Sequence, residues 1–503
     1  MSSDKTPNLN IGRFFKHSSI YAIGNIANRV GSFLLLPLYT HYLSVDKYGA
    51  LELFYVTSSI ISSVLSVGMA HATLRFYFEY DSLKERNKVV TTCLMSSALF
   101  SIPVVLLLSR FNTSLANFIF GDPHYANTFN LVYAILVLEL MRQIGLAYFR
   151  AKEYSTLYVI VCLFQLVLQV GCNVYTVGIR HMEVPGVLVG NLLSVFTGWL
   201  IIMCVVIKEC QFSFDLSKMR AILKYTYPFI FTVMTGIILR NSDRIILRAF
   251  FSLREVGIYA LAFKFGTLMQ ELFLDPFNLS FGAFRFSIMN EKDVKEKLVK
   301  IYNYLIMGLF FAGLGISLYS REVLRFLTDP SYWEASKLIP LIVLSFAAAG
   351  SGYTFQTGIY YTKQTKYMIY INSVSDTTTI LLYMILVPRY GVFGAAAAVI
   401  CKGFIEASLT YSVSTRLYYV PYQIFKAVKI MAIAIVLVAI AQFTPADSPF
   451  LSLFLKTGLL LTFPCILYLA GFLSKEDVER AKEFILATYE KLRLQLRPAG
   501  QQQ

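Results

Sequence analysis

The sequence predicts an all-α integral membrane protein of about 14 transmembrane helices, in two parallel six-helix repeats followed by two extra C-terminal helices. Three observations predict it. Of 503 residues, 56% are hydrophobic and only 15% charged, with a mean hydropathy of +0.59, far more apolar surface than a soluble protein of this size needs. Apolar runs of about 20 residues, enough to cross the hydrocarbon core as helices, recur fourteen times. Two short motifs repeat at nearly one offset: LSVDKYG (43–49) matches FSLREVG (251–257) 208 residues on, and GDPHY (121–125) matches TDPSY (328–332) 207 residues on.

The elements follow in order. The chain is polar to about Lys16. Run 1, 17–38, exceeds a signal-peptide core, carries Arg29 and lacks a small-residue cleavage site, so it is expected to remain as the first membrane helix. Runs 2 to 6, at 49–70, 89–109, 127–147, 155–178 and 184–207, complete an expected N-lobe, 11–216. Runs 7 to 12, at 225–246, 258–279, 301–320, 338–359, 367–387 and 391–413, complete a C-lobe, 217–425. Six crossings per half give both halves the same orientation, hence parallel repeats about an axis normal to the bilayer. Runs 13 and 14, at 427–443 and 449–471, form an accessory segment, 426–472, outside either repeat. The tail, 473–503, places Ser474 and Asp477 at capping-box-like spacing and then shows helical periodicity, which predicts a cytoplasmic amphipathic helix.

Orientation follows from the basic residues. With the N-terminus cytoplasmic, the inner segments hold 29 of the 45 Lys and Arg, counting Lys429 at the start of run 13. The outer loops hold 9 and the runs themselves 7. This asymmetry places both termini inside and accounts for most of the net charge of +15 without nucleic acid. The longest outer loop is about 17 residues, too short for a catalytic domain. The seven cysteines form no C-x-x-C pair and the five histidines no H-E-x-x-H spacing, so neither a redox centre, a metal site nor a cofactor is expected.

Charges inside the runs carry the functional signal, because an ionisable group in hydrocarbon is costly unless it faces a protein interior or water. Arg29 sits mid-run with no acidic residue on its own helix. Arg240, Asp243 and Arg244 share one face of run 7 at i, i+3, i+4 spacing, either as a structural ion pair or as cavity lining with net positive charge. Glu139 and Arg142 on run 4, and Lys402 and Glu406 on run 12, can pair locally. Lys264, Glu271 and Asp275 form a stripe on run 8, with Glu271 placed best for a proton or cation. Asp376 and Lys456 are single charges, and Glu52 lies close enough to the outer end of run 2 to be interfacial; none of the three carries an assignment. The basic residues span both repeats, as a central anion-binding cavity between lobes would require.

The stretch YTYPFIFTVMTGIILRNSDRIILRAFFSLREVGIYALAFKFGTLM, together with RVGSFLLLPLYTHYLSVDKYGALEL and DPSYWEASKLIPLI, resembles the polysaccharide-transporter family of flippases. The likeness covers about residues 11–470. It implies the fold of the multidrug/oligosaccharidyl-lipid/polysaccharide exporter superfamily, two six-helix lobes in a V alternately open to either face. It also implies an isoprenoid-diphosphate-linked oligosaccharide as cargo, with runs 13 and 14 forming a groove for the lipid tail. Arg29 resembles the cavity arginine that lipid-linked precursor flippases carry in helix 1, and Asp243 with Arg244 matches the family's Asp-Arg pair in helix 7. Arg142, Lys264 and Lys402 are assigned by position alone.

The expected function is therefore translocation of such units across the cytoplasmic membrane for O-antigen, capsule or exopolysaccharide synthesis. The basic residues Arg29, Arg142, Arg240, Arg244, Lys264 and Lys402 would contact the diphosphate, and Glu139, Asp243 or Glu271 would couple a proton or sodium gradient. The expected partners are the lipid bilayer and a polysaccharide polymerase or glycosyltransferases. No covalent chemistry is required, and there is no G-x-x-x-x-G-K-[ST] motif. The rivals are a cation-coupled multidrug exporter of the same fold, whose cavity should be acidic and aromatic, and a membrane polymerase or glycosyltransferase, which the short outer loops disfavour.

Overall fold

The computed structural model describes residues 33–443 and 449–473 apart from Gln211, with Glu479 and Glu483 beyond them. Arg29, most of run 1 and nearly all of the tail lie outside the described residues. Within them every regular element is a helix.

Helices α1 (Leu36–Tyr42) and α2 (Val45–Leu65) open the chain, and the Ser44 side chain caps α2 by accepting the Lys47 amide. There follow α3 (Met69–Tyr77), α4 (Leu83–Ser109), α5 (Asn112–Phe120), α6 (Thr128–Ala151), α7 (Ser155–Asn173) and α8 (Glu183–Glu209). A π turn, Val174–Ile179, ends α7. Next comes α9 (Leu216–Phe250), capped by Asp215 through the Ser217 and Lys218 amides, and α10 (Leu253–Met269). A second π turn, Gln270–Leu274, leads into α11 (Asp275–Ser287). The last are α12 (Val294–Leu327), α13 (Ile339–Phe355), α14 (Thr357–Tyr361), α15 (Lys366–Leu417), α16 (Ile424–Ala441) and α17 (Pro449–Leu469).

Runs 2 to 14 all fall on these helices. Ten are long and apolar enough to cross a membrane. The expected fourteen is not reached, for three reasons. Run 1 is not described. Runs 11 and 12 form one helix, α15, kinked where Gly391 adopts φ 56°, ψ −132° just after Pro388, a conformation only glycine takes readily. The charged helices α9 and α10, which hold runs 7 and 8, are not among the ten. Large apolar side chains such as Phe118, Phe425, Phe443 and Phe454 stand fully exposed, as a lipid-facing surface requires. The chain is a multi-pass membrane protein.

Two compact units make up the chain. The first comprises the described residues through Lys264 with Leu324–Leu338 and Ser373–Val399; the second comprises Phe265–Val323, Ile339–Asn372 and the residues from Ile400.

Within the first unit the repeated motifs meet each other. A Cβ on Gly49 would lie 2.0 Å from the Leu253 carbonyl oxygen, and one on Gly257 would lie 2.4 Å from that of Val45. Gly49 and Gly257 are equivalent by the 208 offset, and so are Val45 and Leu253. The contact between α2 and α10 is thus reciprocal, and backbone touches backbone because neither position has a side chain. The flanking bonds follow the same pattern. The Thr40 hydroxyl donates to the Leu327 carbonyl at 3.2 Å, while Arg248, its equivalent, donates to the carbonyl of Phe120, the equivalent of Leu327 at offset 207. The second motif keeps its conformation in both copies: Asp122 accepts the His124 amide at 2.9 Å and Asp329 the Ser331 amide at 3.0 Å, each before a proline that opens a 3₁₀ turn. The Tyr332 hydroxyl then reaches the Leu43 carbonyl at 2.9 Å, tying the same end of the unit together.

Candidate functional site

The charges of the first unit gather where α2, α9 and α10 pack. Lys264 Nζ lies 3.4 Å from Glu52 Oε1, with the Tyr48 ring 5.3 Å from the ammonium. Glu52 is buried inside the unit. On α9, Asp243 is 1% exposed. Its Oδ1 accepts the Arg244 amide at 2.8 Å, its Oδ2 accepts the Tyr259 hydroxyl at 3.0 Å, and both oxygens lie 3.4 Å from Arg244 Nη1. The Arg244 guanidinium covers the Phe263 ring at 4.8 Å. Asp243 thus pairs with its neighbour Arg244. Arg240 lies on α9, but its side chain is not among those described.

The second group joins α6, α7 and α8. Arg142 forms a fork with Glu139 one turn earlier, Nε to Oε2 and Nη2 to Oε1 both at 2.7 Å, and donates from Nη1 to Gln165 Oε1 at 3.0 Å. Gln165 also exchanges bonds with the Ser194 main chain and hydroxyl. One turn on, Gln169 donates to Asn191 Oδ1 at 2.8 Å, and Asn191 donates to the Tyr55 hydroxyl oxygen at 3.0 Å. This amide ladder ends at a tyrosine that is 36% exposed although mid-helix on α2. The sequence reading missed it. The available signal was Gln165, Gln169 and Asn173 at i, i+4, i+8, one polar stripe along an otherwise apolar run.

Arg142, Arg244 and Lys264 are each matched by a carboxylate, Glu139, Asp243 and Glu52 respectively; the first two pairings were among the alternatives the sequence left open, and the third was not foreseen. The reason is physical. An uncompensated charge in a low-dielectric bundle costs several kcal/mol, and an opposite charge within reach removes most of that cost.

In the second unit, Gln270 donates to Asp275 Oδ1 at 2.7 Å and to the Tyr353 hydroxyl oxygen at 3.1 Å. Glu271 is half-buried in the π turn, which interrupts the helical phase on which the Lys264, Glu271, Asp275 stripe rested. Lys402 and Glu406 are half-buried on α15. Lys456, read as a single charge, is paired: its ammonium lies 2.6 and 2.7 Å from the two oxygens of Glu322 on α12, where the Ser452 hydroxyl also donates at 2.8 Å. Among the described residues no three His, Cys, Asp or Glu side chains cluster as a metal site would.

Comparison with known proteins gives a consistent outcome. The profile of a family described as polysaccharide biosynthesis protein matches residues 14–280. The Lsg locus putative protein 1 of Haemophilus influenzae is 22% identical over 311 residues, covering 59% of this chain and 73% of that protein. A structure of the lipid II flippase MurJ in an inward closed conformation superposes with a TM-score of 0.71 at 16% identity, covering 90% of this chain and 99% of that one. An inward-facing multidrug resistance MATE family transporter of the MOP superfamily gives 0.63 at 13% identity, over 78% and 93% of the two chains. At these identities the structural likeness establishes the fold.

Proposed function

Because the chain belongs to the polysaccharide biosynthesis protein family, we propose that it is a flippase that carries isoprenoid-diphosphate-linked oligosaccharide across the cytoplasmic membrane, with both termini inside. The observation that carries this reading is the amide ladder ending at Tyr55. Carboxamides and a phenol in a row, inside helices otherwise built for lipid, offer the donors and acceptors that sugar hydroxyls need once they leave water.

The diphosphate would be held by exchange. Lys264, whose side chain keeps 22% exposure beside Glu52, can turn from that carboxylate to a phosphate, and Arg142 can share its fork in the same way. Arg29, Arg240 and Lys402 complete the proposed basic set. Arg244 is held between Asp243 and Phe263, so its contribution is the local field. Translocation would proceed by alternating access of the two repeat halves, with the reciprocal Gly49 and Gly257 contact closing the outer end. Runs 13 and 14 would take the lipid tail. Coupling to a proton or sodium gradient would pass through Glu271, or through Glu139 once Arg142 leaves it for a phosphate, since the oxygens of Asp243 are occupied by Tyr259 and Arg244. A polymerase or glycosyltransferases would stand next in the sequence of reactions.

The neutrality of the three described pairs removes the basic excess that counted against one rival, a cation-coupled drug exporter of the same fold. One experiment separates them. Liposomes with and without purified protein are loaded with an isoprenoid-diphosphate oligosaccharide, and its outer-leaflet exposure is read with an impermeant lectin. Protein-dependent exposure that falls in Arg29→Ala and Asn191→Ala supports the flippase. No exposure of any glycolipid, together with gradient-dependent uptake of a cationic dye, would establish the exporter instead.

A further inference from the structure

Arg285, near the end of α11, departs from the pattern of paired charges. It is 7% exposed, and none of the described ion pairs includes it. Its Nε and Nη1 are buried with no hydrogen-bond partner. Its surroundings are rings: the guanidinium carbon lies 4.1 Å from the Tyr360 ring centre, 5.3 Å from Phe286 and 5.7 Å from Phe281. The Arg285 carbonyl accepts the Tyr361 hydroxyl, which fixes the backbone at this point. Tyr361 packs edge-on against Tyr418 at 5.3 Å, and Lys295 Nζ stands 5.3 Å from the Tyr418 ring. All of these residues belong to the second unit.

Aromatic faces offset part of the cost of burying a guanidinium, and the Tyr360 hydroxyl is close enough to interact with it, but Nε and Nη1 find no acceptor among these rings. Buried donors of a charged group left without acceptors are expensive and need an explanation. An anion supplies both the missing charge and the missing acceptors. The position narrows its chemistry. Arg285 lies nine residues before Val294, the start of α12, in a segment whose lysines Lys292, Lys295, Lys297 and Lys300 outnumber its carboxylates Glu291, Asp293 and Glu296, with Lys297 held by Glu291 and Asp293, a net positive charge of the kind found at a membrane boundary where lipid phosphates concentrate. Two of the rings around the guanidinium reach the surface: Phe286 is 49% exposed and Tyr360 partly so.

We propose that Arg285, with Tyr360 at its rim, is a binding site for the phosphate group of a membrane lipid at the boundary end of α11. The shared chemistry is a lipid-borne phosphate. Its source is either an anionic phospholipid or an isoprenoid diphosphate, and the site requires no transport step.

The test uses full-length protein in detergent, with phosphatidylglycerol and farnesyl diphosphate as separate probes. Hydrogen–deuterium exchange is followed in the peptide spanning 281–290, together with the shift in melting temperature. Protection of that peptide by at least one probe is expected in the wild type. At least tenfold more probe should be needed in Arg285→Gln, with partial recovery in Arg285→Lys. Protection by phosphatidylglycerol assigns a structural phospholipid; protection by farnesyl diphosphate alone assigns an isoprenoid diphosphate. Absence of protection by both probes, or equal protection in Arg285→Gln, overturns the proposal. If Arg285→Gln does not fold, the wild-type exchange data decide alone. Failure of the flippase reading in liposomes leaves this outcome unaffected.

Discussion

The reciprocal contact between α2 and α10 can be forced apart by a single side chain. At Gly257 a Cβ would stand 2.4 Å from the Val45 carbonyl oxygen, and at Gly49 it would stand 2.0 Å from that of Leu253, whereas ordinary contact begins at 3.4 Å. Both obstacles are backbone, so no rotamer relieves them. The helices must separate by about 1 Å or more, and overpacking of this kind costs about 1–3 kcal/mol. If that strain exists only while the end is closed, Gly257→Val should shift the equilibrium toward the open form by about 5–150-fold. Val45, 2% exposed, is the reporter. A Val45→Cys protein should react slowly with an impermeant maleimide, and adding Gly257→Val should speed labelling at least about fivefold while flipping slows. The equivalence of the glycines sharpens the expectation, because Gly49→Val should act in the same direction. A folded double variant that labels no faster, or two glycine variants with opposite effects, would refute the assignment of this contact as a gate.

Glu52→Gln, which removes the carboxylate 3.4 Å from Lys264, should lower the melting temperature markedly, a loss of about 3 kcal/mol; adding Lys264→Met should restore more than half of it, and no recovery would show that the pair is not the cause. Asn191→Ala and Gln169→Ala should each raise the cargo concentration for half-maximal flipping about fivefold, near 1 kcal/mol for one hydrogen bond, with little change in melting temperature. The amide and hydroxyl of Ser331 hold the Asp329 carboxyl below its ordinary value of 3.8. Its contribution to stability should thus be complete above that pH and fade as pH falls through the lowered value, and Asp329→Asn should abolish this acid-side dependence in melts taken between pH 5 and 2.5.

Runs 2 to 14 were legible because the length of an apolar run is a local property that membrane thickness selects. The two repeated motifs were legible too, since a capped helix start and a 3₁₀ turn are set by local geometry, although the meeting of Gly49 with Gly257 was not. Partners across helices were the hidden part. Glu52 lay near the end of an apolar run and read as interfacial, yet α2 begins at Val45 and buries it against Lys264. Glu322 lay past the end of run 9, but α12 continues to Leu327 and brings it to Lys456. Charges end a hydropathy window without ending a helix. The π turn at Gln270–Leu274 was hidden for a related reason: one extra residue in a turn leaves no compositional mark, yet it re-aims every side chain after it.

The Glu322 and Lys456 pair also bears on how the chain enters the membrane. A lysine near the middle of the last helix opposes insertion by about 2.5–3.5 kcal/mol when it faces lipid alone. Its counter-charge lies 134 residues earlier, already synthesised when α17 emerges. Favourable partition of α17 is thereby tied to α12 being in place beside it, because the Lys456 charge is neutralised only where Glu322 is within reach.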